Sequence, residues 1–290
     1  MPKVFAGNYA DIFDIAGKKA VIVGGAGGFG KEIAIAFAQR GVDVLITSRR
    51  EDALVAACED IKAKAAEGVK VTYFAGDAGD EDTVKAMLDY TVSAEGLGGC
   101  DILVNSQGYN KKMWSWQIDT SVWNAMLQTN ITSVMFTCKY FGNWMKNNNL
   151  EGAEYVAPEA GQPNTNKGYG KIINIGSVRG IRAVGNGGGG NVAYNTTKGA
   201  VEMLTKAFAQ DLRPNVQVNL VGPTITYTPM MVGILPADET VRNNIAANQA
   251  AQRIGYESDI VGTVLYLASP AADFVTANSI YPDGGLVSVS

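Results

Sequence analysis

The chain has 290 residues, 47% hydrophobic and 18% charged, with a net charge of −4 at pH 7; it can bury a substantial core, and its acidic balance argues against nucleic acid or an anionic membrane as partner. Histidine is absent, which removes Ser-His-Asp and Cys-His nucleophiles and histidine metal sites. Any acid or base must therefore be Tyr, Lys, Asp, Glu or Cys.

Cys58, Cys100 and Cys138 are odd in number and show no metal-ligand spacing. They read as reduced thiols of a cytoplasmic protein, with no metal site. No apolar run approaches the roughly 18 residues of a membrane-spanning helix. Residues 1–17 lack the basic-then-apolar pattern of a signal peptide.

Residues 18–24 (KKAVIVG) read as a buried strand, short, apolar and rich in β-branched side chains. Gly24-Gly25-Ala26-Gly27-Gly28-Phe29-Gly30 follows, and helical periodicity begins at Lys31. A glycine loop between a strand and a helix permits a tight turn and close approach of a pyrophosphate, which the helix N-terminus favours. The plainer reading is a flexible linker, and the flanking strand and helix argue against it.

Residues 42–47 (VDVLIT) form the second strand. Ser48, Arg49 and Arg50 at its end lie about 20 residues past the loop, where a dinucleotide fold selects its ribose. An acid there would bond a free 2′-hydroxyl; a serine and two arginines suit a 2′-phosphate, so NADP(H) is favoured over NAD(H). The arginines could also be no more than a solvated helix start. Helix, strand and helix follow over 53–67, 69–75 and 80–94. Asp77 is placed to accept a bond from an adenine amino group, or else to open the next helix. The fourth strand, 101–105 (DILVN), ends in Ser106-Gln107-Gly108.

Lys111-Lys112-Met113-Trp114-Ser115-Trp116 reads either as surface lysines over two half-buried tryptophans or as a pocket wall for an anionic substrate. Residues 122–146 carry one long helical pattern. Asn130 interrupts it with a poor helix former, so it faces solvent or is kept for a task. Residues 147–170 are polar and aperiodic, a surface excursion. A fifth strand, 171–175 (KIINI), leads to Gly176-Ser177 and a loop with a glycine-rich run at 185–190.

Residues 191–211 read as a helix, with Val201, Leu204, Phe208 and Leu212 at three- and four-residue steps. Tyr194 and Lys198 lie one turn apart on it, on one face. A phenol beside an ammonium is a plausible proton donor, because the positive charge lowers the tyrosine pKa. Alone, the pair carries little weight. A sixth strand, 215–221, a lid over about 225–255, a helix over 257–268 and a last strand at 278–281 complete the chain. The β-α alternation predicts an α/β fold with a doubly wound parallel sheet of about seven strands and helices on both faces.

Over residues 12–287 the chain resembles the classical short-chain dehydrogenases/reductases, with the motifs in the family's order. Gly24, Gly28 and Gly30 match the Gly-x-x-x-Gly-x-Gly loop, with Gly27 and Phe29 inside it. Asp77, followed by Ala78, matches the acid near the adenine. Asn105 and Gly108 match the ends of Asn-Asn-Ala-Gly. Asn130, Ser177, Tyr194 and Lys198 match the catalytic tetrad, and Pro223 and Thr228, with Ile225 between them, the segment that touches nicotinamide. Asp283-Gly284-Gly285 matches the C-terminal signature. Four departures stand out. Val23 replaces a threonine, Ser106-Gln107 replaces Asn-Ala, and Thr224 replaces a glycine. Ser177 and Tyr194 are 17 residues apart, where the family has about 13.

The resemblance implies a single Rossmann-type domain over 1–290 that reduces a carbonyl to a secondary alcohol, or the reverse. Tyr194 is then the acid/base and Ser177 polarises the substrate oxygen. Lys198 lowers the Tyr194 pKa and holds the nicotinamide ribose, and Asn130 holds a relay water. It also implies a homotetramer, or a homodimer, packed through the 122–146 and Tyr-Lys helices. Within the family the Lys111-Lys112 pair and Met203-Leu204-Thr205-Lys206 look like gluconate 5-dehydrogenases and related sugar-acid reductases. A 3-oxoacyl-thioester reductase is the main rival; a hydrophobic or cyclic ketone reductase, favoured by Trp114, Trp116 and Met230, is a third. A dinucleotide-binding regulator or scaffold is the non-enzyme alternative.

Overall fold

The computed structural model describes residues 9–149, 156, 166, 168–183, 191–228 and 238–289. Seven strands form one sheet: β1 (Lys19–Val23), β2 (Asp43–Ser48), β3 (Val71–Ala75), β4 (Ile102–Asn105), β5 (Gly170–Ile175), β6 (Val216–Val221) and β9 (Ser279–Ile280). Their order is β3-β2-β1-β4-β5-β6-β9, and every pairing is parallel. The chain therefore reverses its direction of travel across the sheet between β1 and β4, the crevice where open α/β sheets bind ligands.

The two-residue alternation of the strands sorts the core into two layers. Ile22, Ile46, Val104 and Ile173 face one cluster, with Ile33 and Phe37 of α1 (Gly28–Ala38), Leu54 and Ile61 of α2 (Glu51–Lys64) and Ile260 and Val264 of α8 (Glu257–Ala268). Val21, Leu45, Leu103 and Ile172 face the other. It is completed by Val84 and Met87 of α3 (Glu81–Val92), Cys138 and Phe141 of α5 (Ser133–Asn148) and Val201 and Ala209 of α6 (Val192–Asp211). Both faces are covered, so the strands read as continuous apolar runs.

Two expectations change. The pattern over 122–146 is not one uniform helix: α4 (Thr120–Leu127) passes through a π turn, Gln128–Thr132, into α5. Such one-turn bulges insert a residue into the helical ladder and re-aim its side chains. Asn130 sits on the bulge, 1% exposed, so it does not face solvent. The helix expected from 80 starts at Glu81, and its N-cap is Asp80, whose Oδ1 accepts from Thr83 N–H at 2.7 Å. That role leaves Asp77 outside the helix.

A second, two-stranded parallel sheet joins β7 (Thr226–Tyr227) to β8 (Gly255–Tyr256), and α7 (Glu239–Ala247) lies between them in sequence. Neither strand is legible in the sequence. Pro229 and Met230, the rest of the expected lid from 231 to 237, the glycine run 185–190 and most of 147–170 lie outside the described residues. Among the described residues no helix is long and apolar enough to cross a membrane.

Candidate active site

The residues singled out by the sequence fall along the carboxyl ends of the parallel strands. After β1, the chain turns at Gly24 (φ +79°) and Gly28 (φ +51°). A Cβ on Gly24 would lie 2.8 Å from Gln107 N, and one on Gly30 would strike Gly24 O; these two glycines let three backbone segments meet. Gly27 and Gly28 differ, because a Cβ on either would meet nothing within 4 Å. They open outward at the start of α1. Gly27 is the N-cap, no side chain caps the helix, and its first turn holds no acid. The chemistry of that mouth fits an anionic pyrophosphate. Phe29 packs against the first core cluster.

Ser48 ends β2, with Arg49 and Arg50 exposed beyond it. Ser48 Oγ accepts from Arg50 N–H at 3.3 Å, which turns the chain into α2. After β3, Asp77 Oδ1 accepts from Gly79 N–H at 2.9 Å, and Gln128 of the π turn donates to Gly79 O. This side-chain turn fixes the segment holding Ala78, which is buried. At the end of β4, Ser106 N–H donates to Val23 O at 2.9 Å. The β1 and β4 loops are thus tied through the backbone, and the hydroxyl missing at Val23 is not needed. Gln107 reaches the other way, its Nε2 donating to Ser133 Oγ at 2.8 Å.

Asn105 is spent inside the fold. Thr137 Oγ1 donates to its Oδ1 at 2.7 Å, and its Nδ2 donates to Asn174 Oδ1 at 2.8 Å. Asn174 Nδ2 continues to Thr205 Oγ1 at 3.0 Å. This buried polar chain couples α5, β4, β5 and α6 beneath the site; Asn174, Thr137 and Thr205 carried no sequence motif that would have marked them. Asn130 is likewise fully engaged. Its Oδ1 accepts from Tyr109 N–H at 2.7 Å, and its Nδ2 donates to Tyr109 O at 2.9 Å and Thr197 Oγ1 at 3.0 Å. It clamps the loop after β4 onto the helix of Tyr194 and Lys198. Gly108 lies between: a Cβ there would be 3.8 Å from Lys198 Nζ and 3.9 Å from Asn130 Oδ1.

Ser177, Tyr194 and Lys198 come together. Ser177 caps the 3-10 turn Val178–Gly180; its Oγ accepts from Arg179 N–H at 3.1 Å and donates to Pro223 O at 3.4 Å. That second bond draws the segment after β6, with Pro223, Ile225 and Thr228, to the same edge. Lys198 is 4% exposed, donates from Nζ to Ile175 O at 2.8 Å, and lies 5.7 Å from the Tyr194 ring centre.

The electrostatics correct one expectation. Burial lifts the Tyr194 phenol above its ordinary pKa, while a hydrogen bond from Ser177 and the charge of Arg179 oppose the rise. The net shift is upward where a lowered phenol was expected, because burial is the largest cause; burial also pushes Lys198 itself down to about 8, since a desolvated ammonium holds its proton poorly. Arg179 is the charged neighbour that sequence reading missed, and its place two residues after Ser177 was the available signal. The thiols are unsuited to acid–base work near neutrality: burial raises all three, Cys138 to about 12.

Above the start of α6 a shallow cleft is lined by Lys111, Met113, Val122, Met126 and Asn191, and Met113 pairs with Asn191 through an isolated bridge. Of the two tryptophans expected to be half-buried, Trp114 is and Trp116 is largely exposed. They are 44% and 75% exposed and stack on each other, ring centres 5.1 Å apart at 11°.

The chain is similar to known proteins over most of its length. Residues 18–239 match the short chain dehydrogenase family model. Gluconate 5-dehydrogenase of Gluconobacter oxydans is 28% identical over 281 residues, 96% of this chain and 98% of that protein. The 3-oxoacyl-acyl-carrier-protein reductase FabG of Staphylococcus aureus is 30% identical over 271 residues, 93% of this chain and 98% of that protein. Among solved structures, a gluconate 5-dehydrogenase from Burkholderia cenocepacia in complex with NADP and tartrate superposes with a TM-score of 0.82 at 26% identity, covering 97% of this chain and 99% of that one.

Proposed function

The chain belongs to the short chain dehydrogenase family of oxidoreductases, and on that premise we propose that it is an NADP(H)-dependent carbonyl reductase, or alcohol dehydrogenase in reverse, with Tyr194 as its acid/base. The observation that carries this is the convergence of Ser177 and Tyr194, with the buried Lys198 beside them, at the strand ends next to the open glycine mouth. NADP(H), when bound, supplies or accepts the hydride. The Gly27–Gly30 amides would hold its pyrophosphate, Ser48, Arg49 and Arg50 its 2′-phosphate, and Asp77 and Ala78 its adenine end. Gly108, Pro223, Ile225 and Thr228 would border the nicotinamide, and Lys198 would hold its ribose; Asn105 acts from below, by fixing the β4 end.

In reduction, Ser177 Oγ donates a hydrogen bond to the substrate carbonyl oxygen and holds it in line, and Tyr194 delivers a proton as the alkoxide forms. A tyrosine phenol carries its proton at neutral pH and so can give it up to the alkoxide. Asn130 positions the Tyr109 segment and Thr197 rather than touching substrate. The favoured substrate is a sugar acid or polyol, in keeping with the gluconate dehydrogenase relatives. The FabG relatives support a second reading, a 3-oxoacyl thioester. A cytoplasmic homotetramer, or homodimer, completes the proposal. Tyr194→Phe should cut NADPH-linked turnover by about 10³-fold or more while NADPH binding, measured by fluorescence titration, stays within about twofold. Near-wild-type turnover in that variant would sink the assignment.

A further inference from the structure

Two loops of the site and the helix of Tyr194 meet on one short piece of backbone, the π turn Gln128–Thr132. Ser133 N–H donates to Gln128 O and closes it. A π turn is a rare form of helix, kept where its surroundings fix it. Here each end is gripped by a loop at the carboxyl edge of the sheet. Gln128 donates to Gly79 O after β3. Ser133 Oγ accepts from Gln107 Nε2, after β4, at 2.8 Å, and donates to Thr129 O at 2.6 Å. At the centre, Asn130 holds both backbone groups of Tyr109 and reaches Thr197, which lies between Tyr194 and Lys198 on α6.

Gln107 is the grip that stability does not explain. Its backbone is seated in the crevice between β1 and β4, since a Cβ on Gly24 would lie 2.8 Å from its N and 2.9 Å from its Cα. On the next residue, Gly108, a Cβ would lie 3.8 Å from Lys198 Nζ. Ser133, the partner of its amide, is 2% exposed. The other end of that amide, Oε1, is buried and has no hydrogen-bond partner among the described residues. A single neutral hydrogen bond stabilises by less than a buried, orphaned acceptor costs. The side chain therefore adds nothing to stability on balance, and a fold that keeps such a group keeps it for its position.

We propose that Gln107 is a positioning residue of the reaction. By fixing Ser133 it sets the π turn, and so places Asn130, the Tyr109 segment and the helix of Tyr194 against the dinucleotide crevice. This rests on the reading of Tyr194 as acid/base given above. Gln107 touches neither the substrate nor the reacting atoms; it acts through Asn130, whose clamp it keeps in register with the loop beside Lys198.

Gln107→Met keeps the length of the side chain and removes both its donor and its orphaned acceptor. With NADPH as reductant, kcat should fall about tenfold, while the NADPH Kd from fluorescence titration stays within about threefold of wild type. The urea midpoint should be no lower than wild type, because the buried acceptor has gone. A residue that merely supports the fold would show the opposite split. Ser133→Ala should match the loss in kcat, and the double variant should lose no more than either alone. Hydrogen exchange in the cofactor-free protein gives a readout that needs no turnover. The Tyr109 amide, which donates to Asn130, should exchange about tenfold faster in both variants. Tyr109 exchange unchanged in both, a lowered midpoint with kcat kept, or a loss confined to NADPH affinity would each overturn the proposal; the last would make Gln107 part of the cofactor cradle. If wild type reduces no carbonyl while Tyr109 exchange still follows Gln107 and Ser133, the link through the π turn stands and the carbonyl-reductase reading falls.

Discussion

At the amino end of β5, Lys171 is 1% exposed, and its ammonium lies 2.7 Å from Asp273 Oδ1, which also accepts from Tyr169 OH at 3.2 Å. At the carboxyl end of the same strand, Lys198 is 4% exposed and donates to the carbonyl of Ile175, and among the described residues no carboxylate pairs with it. Burial pushes both lysines below their ordinary pKa; Asp273 pulls Lys171 back, and nothing comparable restores Lys198. A third buried lysine, Lys146, is also committed to the fold, donating to Asp211 O at 2.8 Å at the end of α6 and to Arg213 O at 2.7 Å just beyond it. Charge at the amino edge is settled by the protein. Charge at the carboxyl edge is held against its own solvation, which a folded chain retains when a ligand is to be its partner.

The sharpest way to break this contrast is to remove each charge separately. Lys198→Met should lower turnover by about 10³-fold, with NADPH oxidation as the readout. If the two ends of β5 were equivalent, that variant would lose stability and keep its activity. Asp273→Asn should do the converse. Stranding the Lys171 ammonium should destabilise the fold by about 3–5 kcal/mol in urea unfolding, while KM stays near wild type. A loss below about 1 kcal/mol would mean the pair is no more than a surface contact.

A pH titration of stability comes next in size. Lys198 has a folded-state pKa of about 8 against an ordinary 10.5. At pH values between these the unfolded chain binds a proton that the folded one has lost, so stability rises with pH across that window. Below pH 8 both states are protonated and the full cost of burying the charge applies, about 3 kcal/mol. Lys198→Met should therefore be more stable than wild type at pH 7, with the advantage fading toward pH 10.5. A variant less stable than wild type at pH 7 would assign Lys198 to the structure.

The same divide governs what could be read from the sequence. The sheet and its helices were legible because apolar runs and three- to four-residue periodicity report burial directly, and 257–268 was expected as a helix and found as one. The Ser177, Tyr194 and Lys198 positions were legible because each sits in a local motif. Their electrostatics were not. One turn of helix between Tyr194 and Lys198 suggested a lowered phenol, but the sign depends on how deeply both are buried, which is a property of the packed layers. The π turn at Asn130, the Asn105–Asn174–Thr205 chain and the Lys171–Asp273 pair join residues distant in sequence and leave no periodic signal. Arg179 was adjacent to a recognised serine, yet only the fold brings its charge to bear on Tyr194.

Arg49 and Arg50 offer the mildest test, since they lie at the same carboxyl edge but are exposed. Water already solvates them, so a bound phosphate gains less from each than it would from a buried cation. Replacing both with alanine should raise KM for NADPH by about tenfold, the equivalent of one modest charge-assisted contact, and leave kcat and the KM for NADH nearly unchanged. The effect should shrink as salt is raised from 0.05 to about 0.5 M, because the Debye length falls well below 10 Å over that range. Two outcomes would decide against the 2′-phosphate role: equal losses on both cofactors, or an effect indifferent to salt. The first would make the arginines part of the turn into α2, where Ser48 already accepts from Arg50 N–H. The second would mean that the edge selects its cofactor by shape rather than by charge.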